Sequence, residues 1–167
     1  KYRIEIERLA REKGIEIIYL EAGDKITFES GSEIDVISPS DAAECDDVND
    51  TSIVFELTAN NFKGLFTGYS TKLSEAEHLN EYNHVNLLKV PHHGSDTSSS
   101  QEFIDRVSPD YSVISVGENN NYGLPTDTVL ERLENANSHI LRTDKLGDIK
   151  FTIKPNGTFG YTTYLAE

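Results

Sequence analysis

The sequence predicts an α/β fold of the layered kind, an α/β/β/α sandwich or the carboxyl-terminal portion of one. After an opening helix, the first part is a run of short strands separated by Gly- and Asp-bearing turns, a β-meander. The second part alternates strand with helix, and its strands, such as Leu87-Leu88 and Val113-Ile114, are apolar without alternation. Strands of that kind are buried on both faces, so helices are expected on the outer faces of the sheets.

Tyr2 to Lys13 reads as a helix, with Ile6, Leu9 and Ala10 at helical spacing and Gly14 as its stop. The period then changes to short strands at Ile15–Leu20, Lys25–Phe28 and Glu33–Ser38, split by Ala22-Gly23-Asp24 and Ser30-Gly31-Ser32. A polar loop runs from Pro39 to Asp50. Strands at Ser52–Thr58 and Gly64–Thr67 follow, joined by the turn Asn60-Asn61. Ser74 to Glu81 reads as a helix with Ser74 as N-cap, because Glu77 stands at capping-box spacing. Val85–Val90 is an apolar strand, Ser98–Val107 a helix with Phe103, Ile104 and Val107 inward, and Tyr111–Val116 another strand. Thr126–Ala136 is a helix with Val129, Leu130 and Leu133 inward. Strands at Ile140-Leu141, Ile149–Ile153 and Phe159–Thr163 close the chain.

The 167 residues, 37% hydrophobic and 26% charged, are one domain's worth of globular protein without internal repeats. No apolar run approaches the ~20 residues of a membrane span, so the segment itself is expected to be soluble and to make no membrane contact. Lys1 opens a charged amphipathic stretch rather than a signal peptide. A chain that starts at Lys and holds no methionine reads as a piece of a longer protein. The net charge of −14 would repel nucleic acid unless bound cations or a local basic patch reversed the field. The single cysteine, Cys45, excludes an internal disulfide. Its acidic neighbours Glu44, Asp46 and Asp47 are the wrong setting for a reactive thiol. Asp46-Asp47 reads as a solvated loop.

Chemistry in α/β proteins gathers at the carboxyl ends of strands. Directly after Val90 comes Pro91-His92-His93-Gly94-Ser95-Asp96-Thr97-Ser98-Ser99-Ser100. Two adjacent imidazoles beside a glycine offer nitrogen donors to a metal on a tight turn. The hydroxyls of Ser95, Thr97 and Ser98 are candidates to hydrogen-bond an oxyanion or phosphate, and hydroxyls here also cap the next helix. A second polar loop, Gly117 to Pro125, follows Val116. His78, His84 and His139 have no ligand spacing and read as packing or surface residues. Nothing resembles a serine nucleophile elbow or a phosphate-binding P-loop.

Six segments in order carry a resemblance: Asn49-Asp50-Thr51-Ser52-Ile53-Val54, Leu65-Phe66-Thr67-Gly68, Leu88 to Ser98, Ser115-Val116-Gly117-Glu118-Asn119-Asn120-Asn121-Tyr122-Gly123, Val129-Leu130-Glu131-Arg132-Leu133, and Arg142-Thr143-Asp144 with Gly147-Asp148-Ile149. Over nearly its whole length the chain resembles the metallo-β-lactamase-like domain of ComEC-type competence proteins, in its carboxyl-terminal part. The resemblance implies an αββα sandwich holding one or two divalent ions, zinc or manganese, that activate water to hydrolyse a phosphodiester. It also implies DNA as partner, attachment to a membrane channel for DNA uptake, and a place on the extracytoplasmic side.

Three departures qualify this. The family's His-X-His-X-Asp-His would stand before Lys1, so the amino-terminal half of the domain is an expected partner. Thr-Gly-Asp reads Thr67-Gly68-Tyr69 here, and a phenol, which keeps its proton at neutral pH, replaces an anionic ligand poorly. Tyr-Gly-His-Pro-His reads Tyr122-Gly123-Leu124-Pro125-Thr126. Of the ligands, His92 and His93 remain, and two donors are fewer than a zinc centre uses. The expectation is therefore part of a metal-dependent hydrolase, a nuclease, that is inactive as an isolated chain. The alternative is a metal-free module of the same fold with a binding or structural role. Half a sandwich also leaves an apolar sheet face open, which predicts dimerisation or cover by the missing half.

Overall fold

The computed structural model describes residues 2–40 and 47–165, so Cys45 and Asp46 lie outside the described residues. Parallel strands need a crossover between them, and three strand–helix–strand units supply it. Seven strands form one sheet in the order β1-β2-β3-β4-β5-β6-β7. These are β1 (Lys25–Thr27), β2 (Glu33–Ser38), β3 (Val54–Ala59), β4 (Phe62–Phe66), β5 (Leu87–Lys89), β6 (Tyr111–Ile114) and β7 (His139–Arg142). The meander β1 to β4 pairs antiparallel, and β4 to β7 pair parallel. Between the parallel strands run α2 (Lys72–Glu77), α3 (Gln101–Val107) and α4 (Asp127–Asn135). A short helix, α5 (Thr143–Leu146), which the sequence pattern did not signal, leads into the hairpin β8 (Asp148–Ile153) and β9 (Phe159–Tyr164).

The two faces of the sheet differ. On one, Phe103, Ile104 and Val107 of α3 and Val129 and Leu133 of α4 meet Val54, Leu65, Leu88 and Ile114 in a continuous buried core. On the other, the hairpin reaches β4, β6 and, through His139 against Tyr161, β7. Phe62 packs against Phe151 and Phe159, and Tyr111 against Phe151, Phe159 and Tyr161. Phe55 and Phe66, cross-strand partners on this second face, stack at 4.9 Å and, with Leu57, stay half-exposed.

Two expectations need correction. Ile15–Leu20 forms no strand: the segment turns back along α1 (Tyr2–Lys13), where the Tyr19 hydroxyl donates to Glu7 at 2.6 Å and Arg3 sits over the Tyr19 ring. Its apolar side chains find no strand partner, and Ile15, Ile18 and Tyr19 are exposed. The stripe of α1 is uncovered too, with Ala10 its buried residue and Ile4, Ile6 and Leu9 exposed. The N-cap of α2 is Thr71, not Ser74, which is buried inside the helix. The Asp50 carboxylate fixes Thr71 by accepting its amide (2.9 Å) and its hydroxyl (3.0 Å), and this tertiary bond outweighs the local capping pattern.

Glu75 of α2 is fully buried and accepts the amides of Ser99 (2.5 Å) and Ser100 (2.9 Å) at the entry to α3. Burial pushes its carboxyl above the ordinary range, with the amide bonds pulling back. A raised folded-state pKa contributes stability that is complete below the unfolded value and lost as pH rises through the folded one. The stability margin of the wild-type chain over Glu75→Gln should therefore be largest in acid and shrink towards neutral pH in urea titrations. A margin that widens with pH would contradict this.

Candidate functional site

β5 and β6 are parallel neighbours, so their carboxyl ends open on one edge of the sheet. The chain leaves β5 through a tight turn, Pro91–Gly94, in which His92 (φ 47, ψ 39) and His93 (φ 55, ψ 20) are both left-handed. Each such residue costs of the order of 1–3 kcal/mol and persists only where its surroundings hold it. They do so from three loops. The His92 amide donates to the Gly68 carbonyl after β4 (3.0 Å), and the Ser95 amide closes on the His92 carbonyl (3.0 Å). From the loop after β6, Thr126 donates its amide (3.0 Å) and its hydroxyl (3.3 Å) to the Gly94 carbonyl. Gly94 (φ +84) lies so close to this loop that a β-carbon would sit 2.5 Å from Pro125 Cβ.

Within this frame His93 Nδ1–H donates to the Ser115 carbonyl at 2.5 Å. That fixes the tautomer, and Nε2 accepts the Tyr69 hydroxyl at 2.6 Å. His92 Nδ1 lies 3.2 Å from the Thr97 hydroxyl. Ser95 and Thr97 hydroxyls pair at 3.0 Å on the surface of the loop. Ser98, expected among the phosphate-binding hydroxyls, is buried and donates to the Ser70 carbonyl at 2.7 Å, so it ties the loop to the chain before α2. Lys89 is half-buried beside Phe66 on the sparsely covered sheet face and donates to the Val90 carbonyl at 2.9 Å; burial lowers its pKa.

A cavity of ≈ 420 Å³ opens beside His93, lined by Ser115, Val116, Gly117, Asn120, Tyr122, Leu124 and Thr143. The Gly/Asn-rich loop forms its rim. Asn120 braces that loop, its carbonyl oxygen accepting the Tyr122 and Leu124 amides and its NH₂ donating to the Gly117 and Leu124 carbonyls. Thr143 of α5 ties the end of β6 by accepting the Val116 amide and donating to the Val116 carbonyl. Both residues lie in segments that carry the family resemblance, but sequence reasoning gave neither of them a role at the site. The other histidines are engaged elsewhere: His78 with Glu81, His84 with Asp110, His139 with Tyr161.

The implied zinc or manganese can be tested against these donors. Among the described residues no three His, Cys, Asp or Glu side chains gather where a metal could be held. Both His93 nitrogens are engaged, which leaves His92 Nε2 as the one imidazole nitrogen of this corner with no hydrogen bond among the described residues. A zinc centre takes three or four protein donors, so the residues present do not fit one by themselves.

No protein-family profile matches the chain. It is 34% identical over 153 residues to ComE operon protein 3 of Bacillus subtilis, an alignment covering 90% of this chain and 20% of that protein. It is also 34% identical over 130 residues to competence protein ComA of Neisseria gonorrhoeae, covering 76% of this chain and 19% of the relative. The chain is thus similar to one segment of ComEC-type competence proteins. A crystal structure of a protein assigned as a metal-dependent hydrolase from Parabacteroides distasonis shares the fold, with a TM-score of 0.53 at 12% identity over 83% of this chain and 62% of the other. The chain spans about a fifth of the length of these curated relatives. Among its described residues no helix is long and apolar enough to cross a membrane.

Since Gly94 joins the loops after β5 and β6, Gly94→Ala should cost about 1–3 kcal/mol of unfolding free energy by overpacking against Pro125, read from the urea midpoint. An unchanged midpoint would show that the two loops are not held this closely.

Proposed function

We propose that residues 1–167 form the carboxyl-terminal part of a single metallo-β-lactamase-fold domain in a DNA-uptake protein, and that this corner of the domain works without a metal. The module then has a binding or structural role beside the DNA path, on the extracytoplasmic side of the membrane. One observation carries the metal-free reading: both nitrogens of His93 are spent on protein partners, and among the described residues no carboxylate forms a metal-holding group with the two histidines. The competence names of the relatives support the link to DNA. The partners that follow are the amino-terminal half of the domain, or a second copy of the chain, on the sheet face bearing Phe55, Leu57 and Phe66.

A second reading is supported by the strained His92-His93 turn and the cavity beside it, features that cluster at catalytic centres. In it the rest of the domain supplies further donors and the whole is a phosphodiesterase. A divalent ion bound there would lower the pKa of water towards ~7 and neutralise charge on the phosphate.

Labelled single- and double-stranded DNA incubated with the chain and manganese or zinc should be cut no faster than in buffer. Cleavage that disappears in His92→Ala would overturn the metal-free reading in favour of the hydrolase. Light scattering on the chain alone should show a dimer, and a stable monomer would count against the need for cover on the open sheet face.

A further inference from the structure

Tyr69 is more than a lost carboxylate. Its amide donates to the Ser52 hydroxyl at 3.0 Å, and the preceding Gly68 is left-handed (φ +52) where a β-carbon would stand 2.8 Å from Ser52 Cβ. The residue is thus anchored at its base. Its ring lies against both imidazoles, with centroids 4.8 Å from His92 and 5.2 Å from His93, the latter edge-on at 86°. Its hydroxyl donates to His93 Nε2 at 2.6 Å. Because Nδ1–H is committed to the Ser115 carbonyl, Nε2 holds the ring's one basic lone pair, and that pair is in the bond from Tyr69. An ion bound to His93 would need the same lone pair. Phenol and metal are exclusive occupants.

We propose that Tyr69 is the residue that keeps this corner metal-free: its hydroxyl takes the coordination position of His93, and its ring holds the left-handed histidine pair in place of an ion. Tyr69 acquires this role only if the metal-free reading above is correct, and it names the cause of that state. A carboxylate at position 69 would reverse it. Such a group accepts rather than donates, so it would free the Nε2 lone pair and add an anionic oxygen beside two imidazoles, the minimum of three donors.

Cobalt(II), whose visible absorption reports its coordination, is titrated into the wild-type chain, Tyr69→Asp and the double variant Tyr69→Asp/His93→Ala. The expected result is no uptake by the wild type at micromolar metal, and binding by Tyr69→Asp at least about tenfold tighter than either of the others. Equal, His93-dependent binding by wild type and Tyr69→Asp would overturn both the metal-free reading and the role of Tyr69. No binding by either, with Tyr69→Asp folded by circular dichroism, would leave the metal-free reading standing and remove Tyr69 as its cause. Should Tyr69→Asp not fold, Tyr69→Phe keeps the ring and loses only the hydroxyl. Millimolar cobalt should then broaden the His93 ring signals in the NMR spectrum of Tyr69→Phe and not of the wild type. Equal broadening in both, or none in Tyr69→Phe, overturns the proposal.

Discussion

A parallel sheet has to be covered on both faces, because its strands are apolar on both. This chain meets the requirement on one. The α3 and α4 side chains close a core over Leu65, Leu88 and Ile114, while among the described residues the opposite face carries the β8–β9 hairpin, set over Phe62 and Tyr111. Phe55, Leu57 and Phe66 of the meander lie beyond its reach, and the Lys89 ammonium shares that face at a cost in solvation that lowers its pKa. The apolar stripe of α1 is uncovered as well. Placing the segment inside a larger sandwich answers both patches with one device, a second sheet and its helices.

The same sheet order sets the corner. Because β4, β5 and β6 run parallel, the loops that leave them emerge together, and three backbone carbonyls, from Gly68, His92 and Gly94, become the points where those loops are tied. Two consecutive left-handed histidines are affordable only inside such a frame. Tyr69 holds one imidazole nitrogen of His93, Ser115 the other, and Thr97 the neighbouring ring. The result is an ordered pair of histidines with little lone-pair capacity left for a ligand.

How much of this could be read from the chain follows from which interactions are local. The strands from Lys25 onward and helices α3 and α4 were legible, because apolar spacing and glycine-bearing turns act within a few residues. Ile15–Leu20 was not: it has the composition of a strand, but a strand needs a neighbour to pair with, and none is offered there. Ser74 misled for a similar reason, since Asp50, more than twenty residues away, decides that Thr71 starts the helix. At the site, the adjacency of His92 and His93 and the aspartate lost at Tyr69 were visible in sequence. That the phenol lands on Nε2 of His93 was not, because positions 69 and 93 are brought together by the pairing of β4 with β5 and the ties between the loops that follow them. Ser98 shows the converse, a hydroxyl of the right kind in the right loop that the turn carries inward to Ser70.

Electrostatics bears on what a metal-free corner can do beside DNA. The chain carries a net charge of −14, and a duplex presents a phosphate every ~1.7 Å of its axis, so approach is repulsive unless cations intervene. In a metal centre the ion is often the largest local charge and would reverse the field at the point of contact. On the metal-free reading, with His93 closed by Tyr69, that reversal would be missing; the half-buried Lys89 is turned to the Val90 carbonyl. If the segment stands beside a DNA path as proposed, its acidic surface would discourage strands from lodging on it. The contacts available to such a module are apolar ones, through the exposed sheet face and the α1 stripe, and these suit a protein neighbour better than a nucleic acid. By this reasoning the structural form of the metal-free reading is stronger than the DNA-binding form.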